Sequence, residues 1–346
     1  MNPLMWAIFI TSLSTSTIIT MISHHWLLTW VGLELNTLSM LPIITKTKHP
    51  RATEAATKYF IAQTSAAAIV LFASTLNAWQ TGQWSIMNPD STTSTTMVTM
   101  ALALKLGLAP MHFWFPDVLQ GTTMNTAMII STWQKIAPLS LLLLTISQLP
   151  VNMVLVLGLS SVLVGGWTGM NQTQTRKIMA FSSIAHVGWL ITALTIAPTL
   201  ATLTLLIYMA MTITMFSSLN TTTTKTLKDL GTNWTHSAPT MTATMLTLLS
   251  LGGLPPLTGF MPKWLTLTEL TLTGLATLGI MMALASLPSL YFYIRMCYLT
   301  VLTAPPNTTT TEHKWRLKTN HQKILTPMIT TTMLLLPITP MLYNTT

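Results

Sequence analysis

Acidic side chains are scarce in this chain, with seven Asp and Glu against sixteen Lys and Arg in 346 residues. Charged residues reach only 7%, where a soluble protein carries about 25%. So few charges cannot cover the surface of a soluble domain of this length. Half of the residues are hydrophobic and the mean hydropathy is +0.56. The chain therefore reads as an all-α polytopic membrane protein, since a helix satisfies its own backbone in lipid. A net charge of +9 does not indicate a nucleic-acid partner, because most basic residues are confined to short loops between apolar runs.

Cysteine is nearly lacking too. The single Cys297 excludes an internal disulfide and any Cys-based metal site. No P-loop, no GxGxxG after a strand, no CxxC and no HExxH occurs, and no histidine pair is spaced for haem. The chain is thus expected to hold no cofactor or metal and to draw its energy from an ion gradient or from partner subunits. The start, "MNPLMWAIFI", has no basic n-region, no small-residue cleavage site and no Arg-rich amphipathic stretch, so its apolar run reads as a permanent span. Five Asn-x-Ser/Thr matches, at Asn171, Asn220, Asn233, Asn307 and Asn344, are read as chance in a Thr-rich chain.

What is abundant is apolar sequence. A span needs roughly 20 such residues. Eleven runs qualify: about 3–22, 26–45, 57–80, 95–119, 123–146, 150–170, 176–195, 198–219, 238–268, 272–298 and 324–342. Lys46, Lys48 and Arg51 follow the second span. Arg176 and Lys177 follow the sixth, and Lys225 and Lys228 the eighth. Lys314, Arg316, Lys318 and Lys323 follow the tenth. With eleven spans all four loops fall on one side. The opposite loops hold His24, His25, Asp90 and Glu269 and no Lys or Arg. The positive-inside rule places the basic side and the N-terminus in the cytosol or matrix, and the C-terminus opposite.

Two runs carry matching interruptions. The fourth reads "LGLAPMHFWFP" and the ninth "LGGLPPLTGFMP". Proline removes an N–H and clashes with the preceding turn, so both helices should break, near 107–116 and 252–262. Irregular backbone at membrane depth is tolerated only inside protein or beside water. Spans four and nine are an odd number apart and cross in opposite directions. This predicts two inverted five-helix repeats, 1–146 and 150–298, followed by a basic loop and a last helix within 299–346. Broken helices at matching positions of such repeats point to an ion site, as in secondary transporters.

Four charges lie deep inside spans. Glu34 sits about eight residues into the second, ~12 Å along the axis. Lys105 stands just before the first break, Lys135 lies within "STWQKIAPL", and Lys263 follows the second break. An ion at a helix centre costs about 2.5–3.5 kcal/mol on insertion scales, so such residues mark function by default. A buried lysine with a movable carboxylate partner can load and release a proton, and Glu34 is the natural partner for Lys105. Three lysines and one glutamate suit a lateral proton relay better than a cation cage, which favours carboxylate and carbonyl oxygens. His112 and His186 could join the relay. A structural reading stands beside this one, since lysines also pair or snorkel and histidines also bond to backbone carbonyls.

"WVGLELNTLSMLPI", "EAATKYFIAQ", "LKLGLAPMHFWFPDVLQG", "WQKIAPL", "GGWTGMNQTQTRKIMAFSSIAHVGWL" and "GGLPPLTGFMPKW" together resemble the antiporter-like membrane subunits of respiratory complex I, the NADH–ubiquinone oxidoreductase. The resemblance runs to about residue 300. It implies a mitochondrial inner-membrane, proton-translocating subunit driven by quinone reduction elsewhere. Glu34 would pair with Lys105, Lys135 would be the central lysine, Lys263 the distal one, and His112 and His186 would lie on the polar axis. NADH, FMN, iron–sulfur clusters and ubiquinone would belong to partner subunits. Chain 4L, chain 4 and accessory subunits would be neighbours, in a lipid bilayer that includes cardiolipin. Full-size members carry fourteen helices, and the first three have no counterpart here. Two other readings remain open at this point: a stand-alone cation/proton antiporter of similar fold, and a purely structural membrane-arm subunit.

Overall fold

The structure is a computed structural model that describes residues 3–87, 91–232, 238–301 and 325–345. Asp90, Asn233, Asn307 and the basic residues Lys314, Arg316, Lys318 and Lys323 lie outside them. The described residues are almost wholly helical, with two isolated bridges, His25–Ser85 and Gln174–Thr226, in place of a sheet. The chain divides into two compact units, Met1–Ser160 and Ser161–Thr346.

The first unit contains α1 (Pro3–Ile22), α2 (Trp26–Ile44), α3 (Pro50–Thr81), α4 (Thr92–Leu106), α5 (Trp114–Gly121), α6 (Met124–Ser131), α7 (Ile136–Thr145) and the start of α8 (Val151–Met170). Helix α2 packs on α1 and α3, and α3 packs on α4 and α5. The His25 and His49 imidazoles cap α2 and α3, each accepting a backbone N–H at 3.2 Å. At 32 residues, α3 is about 48 Å long.

The second unit holds the rest of α8, then α9 (Thr175–Ile196), α10 (Pro198–Thr222), α11 (Leu227–Thr232), α12 (Ala238–Gly252), α13 (Phe260–Leu272), α14 (Ala276–Val301), α15 (Leu325–Leu334) and α16 (Thr339–Thr345). Helix α9 is buried along nearly its whole length and packs on α10, α13 and α14. Thr175 and Leu227 donate their N–H groups across the Gln174–Thr226 bridge to Lys225 and Thr173. Two of the basic loops, at Arg176–Lys177 and Lys225–Lys228, are thereby tied together at one end of this unit.

Threonine and serine are compatible with these helices because their hydroxyls bond back to carbonyls three or four residues earlier. Thr20 to Thr17, Thr99 to Thr96 and Thr214 to Met211 are examples, each at 2.7 Å. Among the described residues, eight helices are long and apolar enough to cross a membrane, or nine if the pair Leu325–Leu334 and Leu336–Tyr343, bent by 60°, is one span. The eleven runs of the sequence also include the stretches now seen as α4–α5 and α12–α13, whose halves are individually short because each is interrupted.

The two interruptions have the same local chemistry. At the end of α4, Gly107 N–H bonds to Leu104 O at 3.2 Å and Leu108 N–H to Ala103 O at 2.9 Å. At the end of α12, Gly253 N–H bonds to Ser250 O at 2.9 Å and Leu254 N–H to Leu249 O at 3.4 Å. Both are Schellman caps, which place one residue in the left-handed region, and glycine takes it without steric cost. Its φ is +73° at Gly107 and +82° at Gly253. Pro110 and Pro256, three residues after each glycine, then stop the helix from resuming at once, whereas Pro116 and Pro262 fall in the first turn of α5 and α13, where the missing N–H is tolerated.

Candidate functional site

In the first unit the break brings two lysines to one place. Lys105 occupies the last turn of α4, and Lys135 closes a short 3-10 turn, Trp133–Lys135, between α6 and α7. They are 6% and 3% exposed. Both line a cavity of about 10 Å³, together with Tyr59, Gln63, Trp114 and Gln134. That volume admits about one water molecule. The Lys135 ammonium also stands 5.2 Å from the centre of the Phe115 ring, close enough for a cation–π attraction.

The cavity wall is cross-braced by polar side chains that motif reasoning did not single out. The Tyr59 hydroxyl donates to Gln134 Oε1 at 3.3 Å, and Gln134 Nε2 donates to Asn36 Oδ1 at 3.0 Å. Gln63 Nε2 reaches the Lys105 carbonyl at 3.3 Å, and Trp114 Nε1 the Leu104 carbonyl at 3.0 Å. The Gln63 bond satisfies a carbonyl that the end of α4 would otherwise leave open, and Trp114 adds a second donor to the Leu104 carbonyl, which already accepts from Gly107. The signal was available: Asn36 lies two residues from Glu34, Gln134 adjoins Lys135, and Tyr59 and Gln63 are one helical turn apart.

Glu34 is half-buried on α2. It interacts electrostatically with Lys105 and Tyr59. It does not approach Lys105 within 4 Å: among the described residues the ion pairs are those of Lys58, with Glu54 and with Asp117, both at 2.9 Å. Lys58 thus joins Glu54, one turn earlier on α3, to Asp117 from the first turn of α5. His112 is buried in the α4–α5 connection, bonded to the Pro110 backbone and 4.4 Å from the Phe113 ring.

In the second unit Lys263 folds back across its own break. Its ammonium donates to the Gly252 carbonyl at 2.9 Å, a cation on the partial negative charge of a helix C-terminus. Gly252 packs toward Tyr293, since a Cβ there would lie 3.8 Å from the Tyr293 ring. The Tyr293 hydroxyl meets His186 Nε2 at 3.3 Å, and the His186 ring is 5.6 Å from that of Tyr208. The fold therefore gathers Lys105, Lys135 and Glu34 in one unit, and in the other sets Lys263 on the Gly252 carbonyl and Tyr293 against His186.

Outside the helices that could span a membrane, Asp229 stands in the first turn of α11. It accepts the N–H groups of Lys225 and Thr226 at 3.0 and 2.8 Å. Burial pushes its carboxyl up, but these amides outweigh that and hold it below the usual carboxylate range. No group of three His, Cys, Asp or Glu side chains placed to hold a metal occurs among the described residues.

Residues 23–289 match the family model described as NADH:quinone oxidoreductase/Mrp antiporter, TM. Residues 290–343 match one described as NADH dehydrogenase subunit 2 C-terminus. The NADH-ubiquinone oxidoreductase chain 2 of Salmo salar is 51% identical over 343 residues, 98% of either chain. That of Carassius auratus is 50% identical over 347 residues, covering both chains fully. Among solved structures, a chain of respiratory complex I from Thermus thermophilus superposes with a TM-score of 0.88 at 24% identity, over 99% of this chain and 80% of that one. A chain of the Mrp complex from Dietzia sp. superposes with a TM-score of 0.83 at 15% identity, over 97% and 75%.

Proposed function

The chain belongs to the NADH:quinone oxidoreductase/Mrp antiporter transmembrane family, and from that premise we propose that it is a core membrane subunit of respiratory complex I that carries protons through its interior. The observation that supports the reading best is the cavity shared by Lys105 and Lys135. Two amines from different helices, both almost fully buried, flank a space for about one water. Two ammonium groups there repel each other, so the favoured loading is one proton shared between them. A single water bridging the two Nζ atoms would pass that proton on.

Glu34 sets the bias. Charged, it draws a proton toward Lys105; protonated, it releases that hold. The gap between them, beyond ion-pair contact, leaves the pair free to make and break. In the second unit Lys263 is held at the α12 terminus, with Tyr293 and His186 behind it as the next proton-exchanging groups. His112 would serve the first unit in the same way.

Moving one charge against the membrane potential costs about 2.3 kcal/mol per 100 mV. The drive must come from redox chemistry in partner subunits, which would hold NADH, FMN, iron–sulfur clusters and ubiquinone. The proposed setting is the mitochondrial inner membrane, with the basic loops on the matrix side and chains 4L and 4 as neighbours. Accessory subunits and lipids such as cardiolipin would cover the remaining surface.

The test is Lys105→Met in the assembled enzyme. Protons translocated per NADH oxidised should fall while the complex still assembles. Wild-type translocation and quinone reduction together would remove Lys105 from the mechanism.

A further inference from the structure

The first unit holds a second polar feature that the two-lysine cavity does not use. Five side chains carry buried nitrogen or oxygen atoms with no hydrogen-bond partner among the described residues. These atoms are Nε1 of Trp26 and of Trp30, Oε2 of Glu34, both amide atoms of Asn77, and Oγ of Ser85. Trp26, Trp30 and Glu34 stand at i, i+4 and i+8 of α2, hence along one face and over about 12 Å of its axis. Asn77 lies near the end of α3, which packs on α2. The chain leaving α3 folds back onto the start of α2. There Trp84 O accepts the Trp26 N–H at 3.1 Å, Ser85 bridges His25, and Ile86 donates to the His24 carbonyl at 3.1 Å. The orphaned atoms therefore begin beside exposed His24 and half-buried Ser85 and lead along α2 to Glu34.

Buried polar atoms are almost always partnered. An indole N–H can only donate, an ionised carboxylate can only accept, and Asn and Ser do both. A cation would be repelled by the indole N–H groups and an anion by Glu34. Water satisfies every atom in the row. We propose that a file of bound water runs along this face of α2, from the His24–Ser85 surface to Glu34. The carboxylate then has aqueous access from the end of α2 opposite the Lys46–Arg51 loop.

Its use rests on the proton-relay reading: Glu34 would exchange protons with the aqueous phase through the file. Each transfer forms one O–H bond as the next breaks, so protonating Glu34 takes one proton from the file and its release returns one. The hydration itself stands or falls separately.

The experiment uses the assembled enzyme in its membrane with single substitutions Ser85→Cys, Asn77→Cys and Trp30→Cys. The control is Ala193→Cys, at a position with 0% exposure. The probe is a small membrane-impermeant methanethiosulfonate carrying a trimethylammonium group, which reacts with thiolates in water. Thiols at Asn77 and Trp30 should react about tenfold faster than the control or more, with the rate falling from Ser85 to Trp30. Control-like rates at Asn77 and Trp30 overturn the proposal, and if Asn77→Cys fails to assemble, Trp30→Cys decides alone. Unreactive thiols together with lost pumping in Lys105→Met would keep the relay and reject the file. Reactive thiols with normal pumping in Lys105→Met would do the reverse.

Discussion

Gly253→Ala perturbs the second break at a single atom, and its cost can be worked out in two parts. The first is conformational. Gly253 has a φ of +82°, and an L-residue in the left-handed region costs roughly 1–2 kcal/mol. The second is the neighbour. A Cβ at Gly253 would lie 3.0 Å from Lys263 Nζ and 3.1 Å from its Cδ. The flexible lysine can move aside, but its ammonium then leaves the Gly252 carbonyl, now 2.9 Å away. A hydrogen bond from a charged group contributes about 1.5–3 kcal/mol. The total is about 2.5–5 kcal/mol. Gly82 supplies the control, because its φ is +73° and nothing lies within 4 Å of its Cβ position. Gly82→Ala should therefore cost the conformational part alone. Heat inactivation of the assembled complex is the assay, since such assemblies lose activity irreversibly and are compared by rate. Gly253→Ala should inactivate roughly ten- to hundredfold faster than Gly82→Ala. In a Lys263→Ala background the excess should vanish, as a double-mutant cycle requires. If the two glycine variants inactivate alike, or if the excess survives without the lysine side chain, the account of the Lys263 contact is wrong.

Two further outcomes follow from other contacts. Gln134→Leu leaves the Tyr59 hydroxyl and Asn36 Oδ1 without their partner, at about 1–3 kcal/mol each, whereas Tyr59→Phe strands only Gln134 Oε1. The leucine variant should inactivate faster on heating, and equal rates would count against a braced wall. Asp229 has a carboxyl held below its ordinary value of 3.8, so its contribution is complete above that value and is lost as pH falls through the lower, folded one. Hydrogen exchange at the Lys225 and Thr226 amides should then become as fast as in Asp229→Asn at the acid end, and slower than in that variant at neutral pH.

Much of the architecture was legible because lipid imposes simple rules on sequence. Scarce charge, apolar runs of span length and glycine–proline clusters point to helices and to where two of them break. The structure adds the means: both breaks are Schellman caps, and Lys263, read only as following its break, turns back to hold it. Glu34 pairs with Lys105 in the sequence because it is the one acid deep in a span, and the structure leaves the two interacting electrostatically without ion-pair contact. Tyr59, Gln63, Gln134 and Tyr293 escaped notice because an uncharged polar residue in a helix has no motif. Its role depends on what faces it, and periodicity within one helix does not encode that.

Sequence alone determined the class of protein, its all-helical make-up, the two interruptions and the identity of the deep charges. Each of these follows from the cost of exposing polar groups to hydrocarbon, which is paid residue by residue along the chain. Tertiary structure decided that Lys105 and Lys135 share one small cavity and that Gln134 braces its wall. It also set Lys263 on the Gly252 carbonyl and brought Tyr293 to His186. Those facts depend on distances between helices, and helix packing sets such distances through side-chain shape across the interface.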